Sequence, residues 1–123
     1  MFNYEGRFSY NYNIGTNIPY GVSHHDDLIY LLFNSGRFPL FNQTDPEADT
    51  VRRMTSLYAR FATTGHPFPQ ESSIKWTPIT KDCLNFLNIS NVFLMKKGLP
   101  YPRRMQVWET QLPLDQPYRQ LNY

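Results

Sequence analysis

A single long amphipathic helix, closed at both ends by helix breakers, is written into the middle of this chain. Val51, Met54, Leu57, Tyr58 and Phe61 recur at intervals that place them on one helix face. Arg52, Arg53 and Arg60 fall on other faces. Thr44 and Glu47 have capping-box spacing, and Pro46 is acceptable within a first turn. Gly65 ends the pattern, and Pro67 and Pro69 prevent a restart. The helix is expected at about 46–63. Elsewhere, ten prolines and six glycines divide the 123 residues into short elements joined by shaped loops.

Ahead of that helix, Phe2, Tyr4, Phe8, Tyr10 and Tyr12 form an aromatic series. Phe8, Tyr10 and Tyr12 alternate with Ser9 and Asn11, the pattern of a short strand or an extended loop. Phe2-Asn3-Tyr4 reads as a strand tail. Ser23 has the chemistry of an N-cap, with Asp26 three positions on as a capping-box variant. Leu28, Ile29, Leu31, Leu32 and Phe33 then make a helix apolar on most sides, hence buried. Asn34-Ser35-Gly36 is its stop. Beyond the long helix, Trp76 and Pro78 lie in an extended stretch. Cys83 to Ile89 reads as a short strand, with Leu84, Phe86 and Asn88 on one face and Leu87 and Ile89 on the other. Val92 to Met95 reads as a second strand. A last helix is expected from Arg103 to about Gln111, with Met105, Val107, Trp108 and Leu112 as apolar contacts. Residues 113–123 are a Pro- and Gln-rich tail that frays or lies on a surface.

Composition excludes several function classes. Hydrophobic residues at 41% and aromatics at 16% supply a core, which argues against disorder. Net charge is +2, and basic residues cluster only as the pairs Arg52-Arg53, Lys96-Lys97 and Arg103-Arg104. These are solvated faces, so no nucleic acid or membrane surface is expected as partner. Without a basic groove, the aromatic series is core or pocket wall rather than a base-stacking platform. No apolar stretch approaches the roughly 18 residues of a membrane span. Met1 to Arg7 lacks a basic region followed by an apolar run, so no signal peptide is expected in this chain. The lone Cys83 excludes an internal disulfide and a cysteine-based zinc site. Among Leu84, Phe86 and Leu87 it is expected to be a buried, inert thiol, the alternative being a bridge to a segment outside this chain. Asn42-Gln43-Thr44 and Asn88-Ile89-Ser90 are glycosylation sequons.

The segment Gly21-Val22-Ser23-His24-His25-Asp26-Asp27-Leu28 carries the chemistry. It puts a histidine where a loop meets a helix, a suitable place for a general base. The helix fixes the imidazole, and the loop end leaves it reachable. In a first helical turn the dipole would disfavour imidazolium, and Asp26 and Asp27 would oppose that effect. Adjacent histidines on a helix point about 100° apart and do not converge on one ion, so no metal is expected. Tyr20, just before this loop, is a candidate to line a substrate pocket. His66, in the turn after the long helix, reads as a surface residue.

Four segments, in order, resemble the C-terminal part of type B carboxylesterases, the cholinesterase-like branch of the α/β-hydrolases. Gly21-Val22-Ser23-His24, with Asp27 and an apolar helix behind it, resembles the family's catalytic-histidine segment. Met54 through Phe61-Ala62-Thr63-Thr64-Gly65-His66-Pro67 resembles its Phe-Ala-x-Thr-Gly-x-Pro turn. Trp76-Thr77-Pro78 with Cys83 to Ile89 resembles its Trp-x-Pro … Tyr-Leu-x-Ile strand. Arg104-Met105 to Trp108 resembles its last arginine-to-tryptophan helix. The resemblance covers roughly residues 2–112. It implies an α/β fold, namely the C-terminal part of an α/β-hydrolase: helices plus a few terminal strands, with most of the parallel sheet outside this chain. Residues 1–123 would be the C-terminal portion of the carboxylesterase domain, with about 113–123 a tail. It implies a Ser–acid–His triad in which His24 is the base. His25 stands where many relatives carry a small residue, and is expected to face solvent or to back the site. The substrate would be a small-molecule carboxylic ester and no cofactor is implied. The parent protein is expected to be secreted or to reside in the endoplasmic reticulum lumen.

No Gly-x-Ser-x-Gly occurs, because the glycines at 6, 15, 21, 36, 65 and 98 are never four apart with serine between. The family's nucleophile and acid lie upstream of the histidine, and Asp26 and Asp27 are too near His24 in sequence to replace that acid. The chain alone is therefore expected to be inactive and a poor folding unit. The rival expectation is a fragment of a cholinesterase-like adhesion protein that binds without catalysis. The Gly-Val-x-His context favours the enzyme, because an adhesion module has no need of the histidine.

Overall fold

The chain runs extended from its first residues. In the computed structural model, which describes residues 1–14, 18, 20–32 and 36–112, Phe2 forms a parallel bridge with Ile89. The Asn3 N–H donates to the Ile89 carbonyl at 2.7 Å, and the Ile89 N–H donates to the Met1 carbonyl at 2.9 Å. The strand-tail reading of Phe2 to Tyr4 thus has a partner. The alternating stretch after it is not a strand. Tyr10–Ile14 is a 3-10 helix. Asp26 takes the Tyr10 N–H and the Ser9 hydroxyl takes the Asn11 N–H. Side-chain acceptors so close to the backbone compete with a strand ladder and curl the chain instead.

Helix α1 covers only Leu28–Leu31. Residues 24–27 are turns, in which the Leu28 N–H donates to the His25 carbonyl at 2.9 Å. The physical reason is His25, whose φ of 75° is a left-handed value that no α-helix accommodates. His24 therefore does not sit in a first helical turn, and the dipole effect expected of one does not apply to it. Leu32 leaves the helix in an extended conformation and is exposed rather than buried. Phe33 and the expected stop at Asn34-Ser35 lie outside the described residues.

Helix α2, Ala48–Thr64, is the long element the spacing predicts, starting two residues later. Its expected capping box does not form, since Glu47 makes no cap and turns to Arg7 instead. At the other end Gly65 adopts φ 72°, and its N–H donates to the Phe61 carbonyl at 2.8 Å. That left-handed close is why a glycine stands there. Met54 and Leu57 reach the core, whereas Tyr58 and Phe61 are exposed, so the buried stripe is narrower than the apolar one.

Strands β1 (Asn85–Asn88) and β2 (Leu94–Lys97) pair antiparallel, with Leu87 opposite Met95. Asn85, Leu87 and Ile89 share the buried side. β2 begins two residues beyond the expected Val92, because residues 90–92 make the turn, where the Ser90 hydroxyl donates to the Val92 carbonyl at 2.8 Å. Cys83 is exposed, not buried, because a turn from Thr80 holds it outside the start of β1. Helix α3, Pro102–Gln111, begins as expected near Arg103. Met105, Val107, Trp108 and Leu112 are exposed on it and just past it, and do not join the core. The tail at 113–123 lies outside the described residues.

The core gathers Tyr4, Ile29, Tyr30, Phe38, Met54, Leu57, Leu87, Ile89 and Phe93. Tyr30 is its centre, edge-on to Tyr4 at 5.2 Å and stacked on Phe41 at 5.9 Å. Gly6 passes so close that a methyl group there would press into the Tyr30 hydroxyl. Helices with a two-stranded sheet are consistent with part of an α/β fold. Among the described residues no helix is long and apolar enough to cross a membrane.

Candidate active site

The histidine turn is anchored from beneath by one carboxylate. Asp26 is 3% exposed, and its two oxygens accept four hydrogen bonds. The Tyr10 N–H donates at 2.8 Å and the Ser23 hydroxyl at 3.0 Å to Oδ1. The Ser9 hydroxyl and the Ser23 N–H each donate at 2.8 Å to Oδ2. Ser23 and Asp26 do pair at the three-residue spacing the sequence shows, but across a free-standing turn rather than at a helix start. Ser9 and Tyr10 join them from a segment 16 or 17 residues away. A buried carboxylate with its lone pairs occupied by fixed donors is a rigid joint. It ties the loop bearing His24 to the aromatic N-terminal segment.

Above this joint His24 and His25 are both exposed. Their rings lie 3.8 Å apart, centre to centre, tilted by 34°. Tyr10 meets the His25 ring edge-on at 5.8 Å. Among the described residues nothing hydrogen-bonds the His24 ring nitrogens, and the ring faces solvent. Gly21, at φ 84°, makes the bend that leads into this loop. The residue types allow proton transfer at an accessible imidazole whose backbone is held fast. Tyr20, expected to line a pocket, is 63% exposed.

A second polar joint lies beside the first. Arg7 donates from Nε to Glu47 Oε1 at 2.9 Å, and from one terminal nitrogen to Glu47 Oε2 at 2.6 Å and Asp45 Oδ1 at 2.9 Å. The Glu47 side chain is only 1% exposed. Its hydrogen bonds to Arg7 hold its carboxyl below the usual range, against the opposing effect of burial. Asp45 is lowered too, chiefly by the Asn42 backbone N–H and then by Arg7. This joint fixes the start of α2 against residue 7, two positions before Ser9.

The two sequons differ in setting. Asn42 is exposed in the turn before α2, and its backbone N–H donates to Asp45 at 2.7 Å. Asn88 is half-buried on β1, with its amide donating to the Ser90 hydroxyl at 3.2 Å. A groove of about 520 Å³ lies between the end of α2 and residues 66–78, and takes no residue from the histidine turn. His66 is exposed at its edge. By spacing alone Asp26 is a capping-box variant, whereas it holds the whole turn, and Arg7 pairs with a residue far along the chain. Only the Ser-x-x-Asp spacing signals the first, and no local pattern signals the second.

Comparisons with known proteins bear on the whole of this region. The sequence model described as "Carboxylesterase family" matches residues 1–108. Juvenile hormone esterase of Tribolium castaneum is 29% identical over 99 residues, which cover 76% of this chain and 16% of that protein. The chain thus spans about a sixth of the length of the relative it matches.

Proposed function

The chain belongs to the carboxylesterase family, and from that premise we propose that it is the histidine-bearing part of a carboxylic-ester hydrolase with the α/β-hydrolase fold. The observation that carries the reading is His24 itself: an exposed imidazole in the context Gly21-Val22-Ser23-His24, on a turn that the buried Asp26 locks in place. A general base has to be reachable and has to stay where it is, and this arrangement supports both.

In the proposed reaction the neutral imidazole of His24 accepts the proton of a serine hydroxyl as that oxygen attacks the ester carbonyl. The same proton then passes to the departing alcohol. Water repeats the sequence on the acyl-enzyme, releasing the acid and restoring the serine. A carboxylate at the other ring nitrogen would orient the base, and backbone N–H groups would hold the oxyanion. The serine and the orienting acid are taken to come from a longer polypeptide, with residues 1–123 as its C-terminal portion. On this reading the 123-residue chain alone does not turn over esters. The proposal extends to a small-molecule carboxylic ester as substrate, to Tyr20 at the rim of its pocket, and to a parent protein in the secretory pathway, where Asn42 and Asn88 are the glycosylation candidates.

The test is ester turnover by the full-length protein and its His24→Ala variant on a short-chain ester. Loss of about a thousandfold or more in kcat is expected for removal of a triad base. Unchanged turnover would refute the assignment. A full-length protein that lacks the serine and turns over no ester would favour the adhesion reading.

A further inference from the structure

His25 occupies a conformation that its residue type resists. Its φ of 75° brings Cβ against the backbone, a strain that glycine escapes. Strain of this kind persists where surrounding contacts over-determine it. Here the contacts are on the ring. One face lies 3.8 Å from the His24 ring, and Tyr10 abuts it at 5.8 Å with planes 71° apart. Tyr10 is itself held from three directions. Its N–H donates to Asp26, its ring packs edge-on to the buried Phe38 at 5.0 Å, and the Arg37 guanidinium lies 4.5 Å over it. A continuous column therefore runs from the core through Tyr10 and His25 to His24. The Asp26 joint fixes the backbone of the His24 turn. Among the described residues the aromatic ring packed against His24 is that of His25.

We propose that His25 is a positioning residue: its left-handed backbone turns the imidazole back as a wall on one side of the His24 ring, limiting its swing, while the carboxylate of the full-length protein would hold the ring nitrogen. The inference rests on His24 being the general base. Its chemistry is that of orientation, since a proton acceptor that wanders by an ångström loses a large part of its effect. The ring, not its nitrogens, is the working part, because what His25 offers to His24 is a flat face.

The experiment compares His25→Gly, His25→Phe and His24→Ala in the full-length esterase, by steady-state kinetics and thermal unfolding. His25→Gly removes the wall and also the strain. Its kcat should fall about tenfold or more with KM little changed, while Tm stays level or rises by a few degrees. His25→Phe keeps a flat face at the same place and should recover kcat to within about threefold of the parent. His24→Ala should be inactive. Full kcat in His25→Gly beside a dead His24→Ala overturns the role of His25 alone. A fall in kcat accompanied by a matching fall in Tm, or a His25→Phe variant as slow as His25→Gly, overturns it as well. An active His24→Ala is a different failure, since it removes the base assignment on which the proposal stands.

Discussion

Replacing Asp26 with alanine strands four donors at once. Two of them, the N–H groups of Tyr10 and Ser23, are backbone groups that cannot swing away. Each loses a charged acceptor at 2.8 Å. A buried donor left without a partner costs about 1–3 kcal/mol. The two hydroxyls are more forgiving. Ser9 and Ser23 already lie 3.4 Å apart, and the Ser23 hydroxyl also reaches the His24 carbonyl at 3.3 Å. They can re-pair, so most of the loss falls on the backbone groups. The expected destabilisation is about 3–4 kcal/mol, comparable to breaking other buried charged networks by removing one partner. Asp26→Asn keeps the shape but turns an NH2 group toward two donors, and should cost about 2 kcal/mol. Ser9→Ala removes one of the four bonds and also the acceptor of the Asn11 N–H, and should cost about 2 kcal/mol. Equilibrium urea unfolding of the full-length protein, followed by far-ultraviolet circular dichroism, measures all three. Asp26→Ala should lower the midpoint by that loss divided by the slope measured for the parent. A loss below about 0.5 kcal/mol, the range of an ordinary surface carboxylate, would refute the idea that this residue is the joint of the histidine turn.

Two other perturbations test the packing around that joint. Tyr30 is 2% exposed, its hydroxyl has no hydrogen-bond partner among the described residues, and burial pushes its phenol well above the ordinary range. Tyr30→Phe should therefore leave the unfolding free energy unchanged or raise it by up to about 1 kcal/mol, and a clear loss of stability would show that the hydroxyl is used. Glu47 and Asp45 have folded-state carboxyls held low, so their contribution to stability is present above the unfolded carboxylate range near pH 4 and is lost as pH falls through the lowered values. Arg7→Ala should consequently be less stable than the parent at pH 7, with the gap narrowing toward pH 3, and a gap constant across that interval would contradict the role assigned to Arg7.

The parts legible in the sequence were those set by local periodicity and local backbone chemistry. Helix α2 follows from its apolar spacing, and its end follows from Gly65, the one residue there that takes φ 72° without strain. The strand pair was visible as two apolar runs, though the turn at 90–92 shifted the second by two residues. Tertiary demands overrode local preference elsewhere. Glu47 has capping-box spacing, but Arg7, 40 residues away, offers it a charged partner. Tyr10 alternates like a strand residue, but Asp26 draws its N–H into a 3-10 turn. The apolar residues of α3 follow helical spacing, yet spacing alone does not say what, if anything, covers a face. At the site, the Gly-Val-x-His context singled out His24. The column behind it was illegible, because it depends on a positive φ at a histidine, a value that residue type argues against.

The most direct test of the central claim is chemical rescue of His24→Ala in the full-length protein. If position 24 carries the proton, the variant should have lost about a thousandfold or more of its ester turnover, and added imidazole should restore part of it in proportion to concentration while leaving the parent unaffected. Turnover by His24→Ala within about tenfold of the parent, without imidazole, would contradict the account.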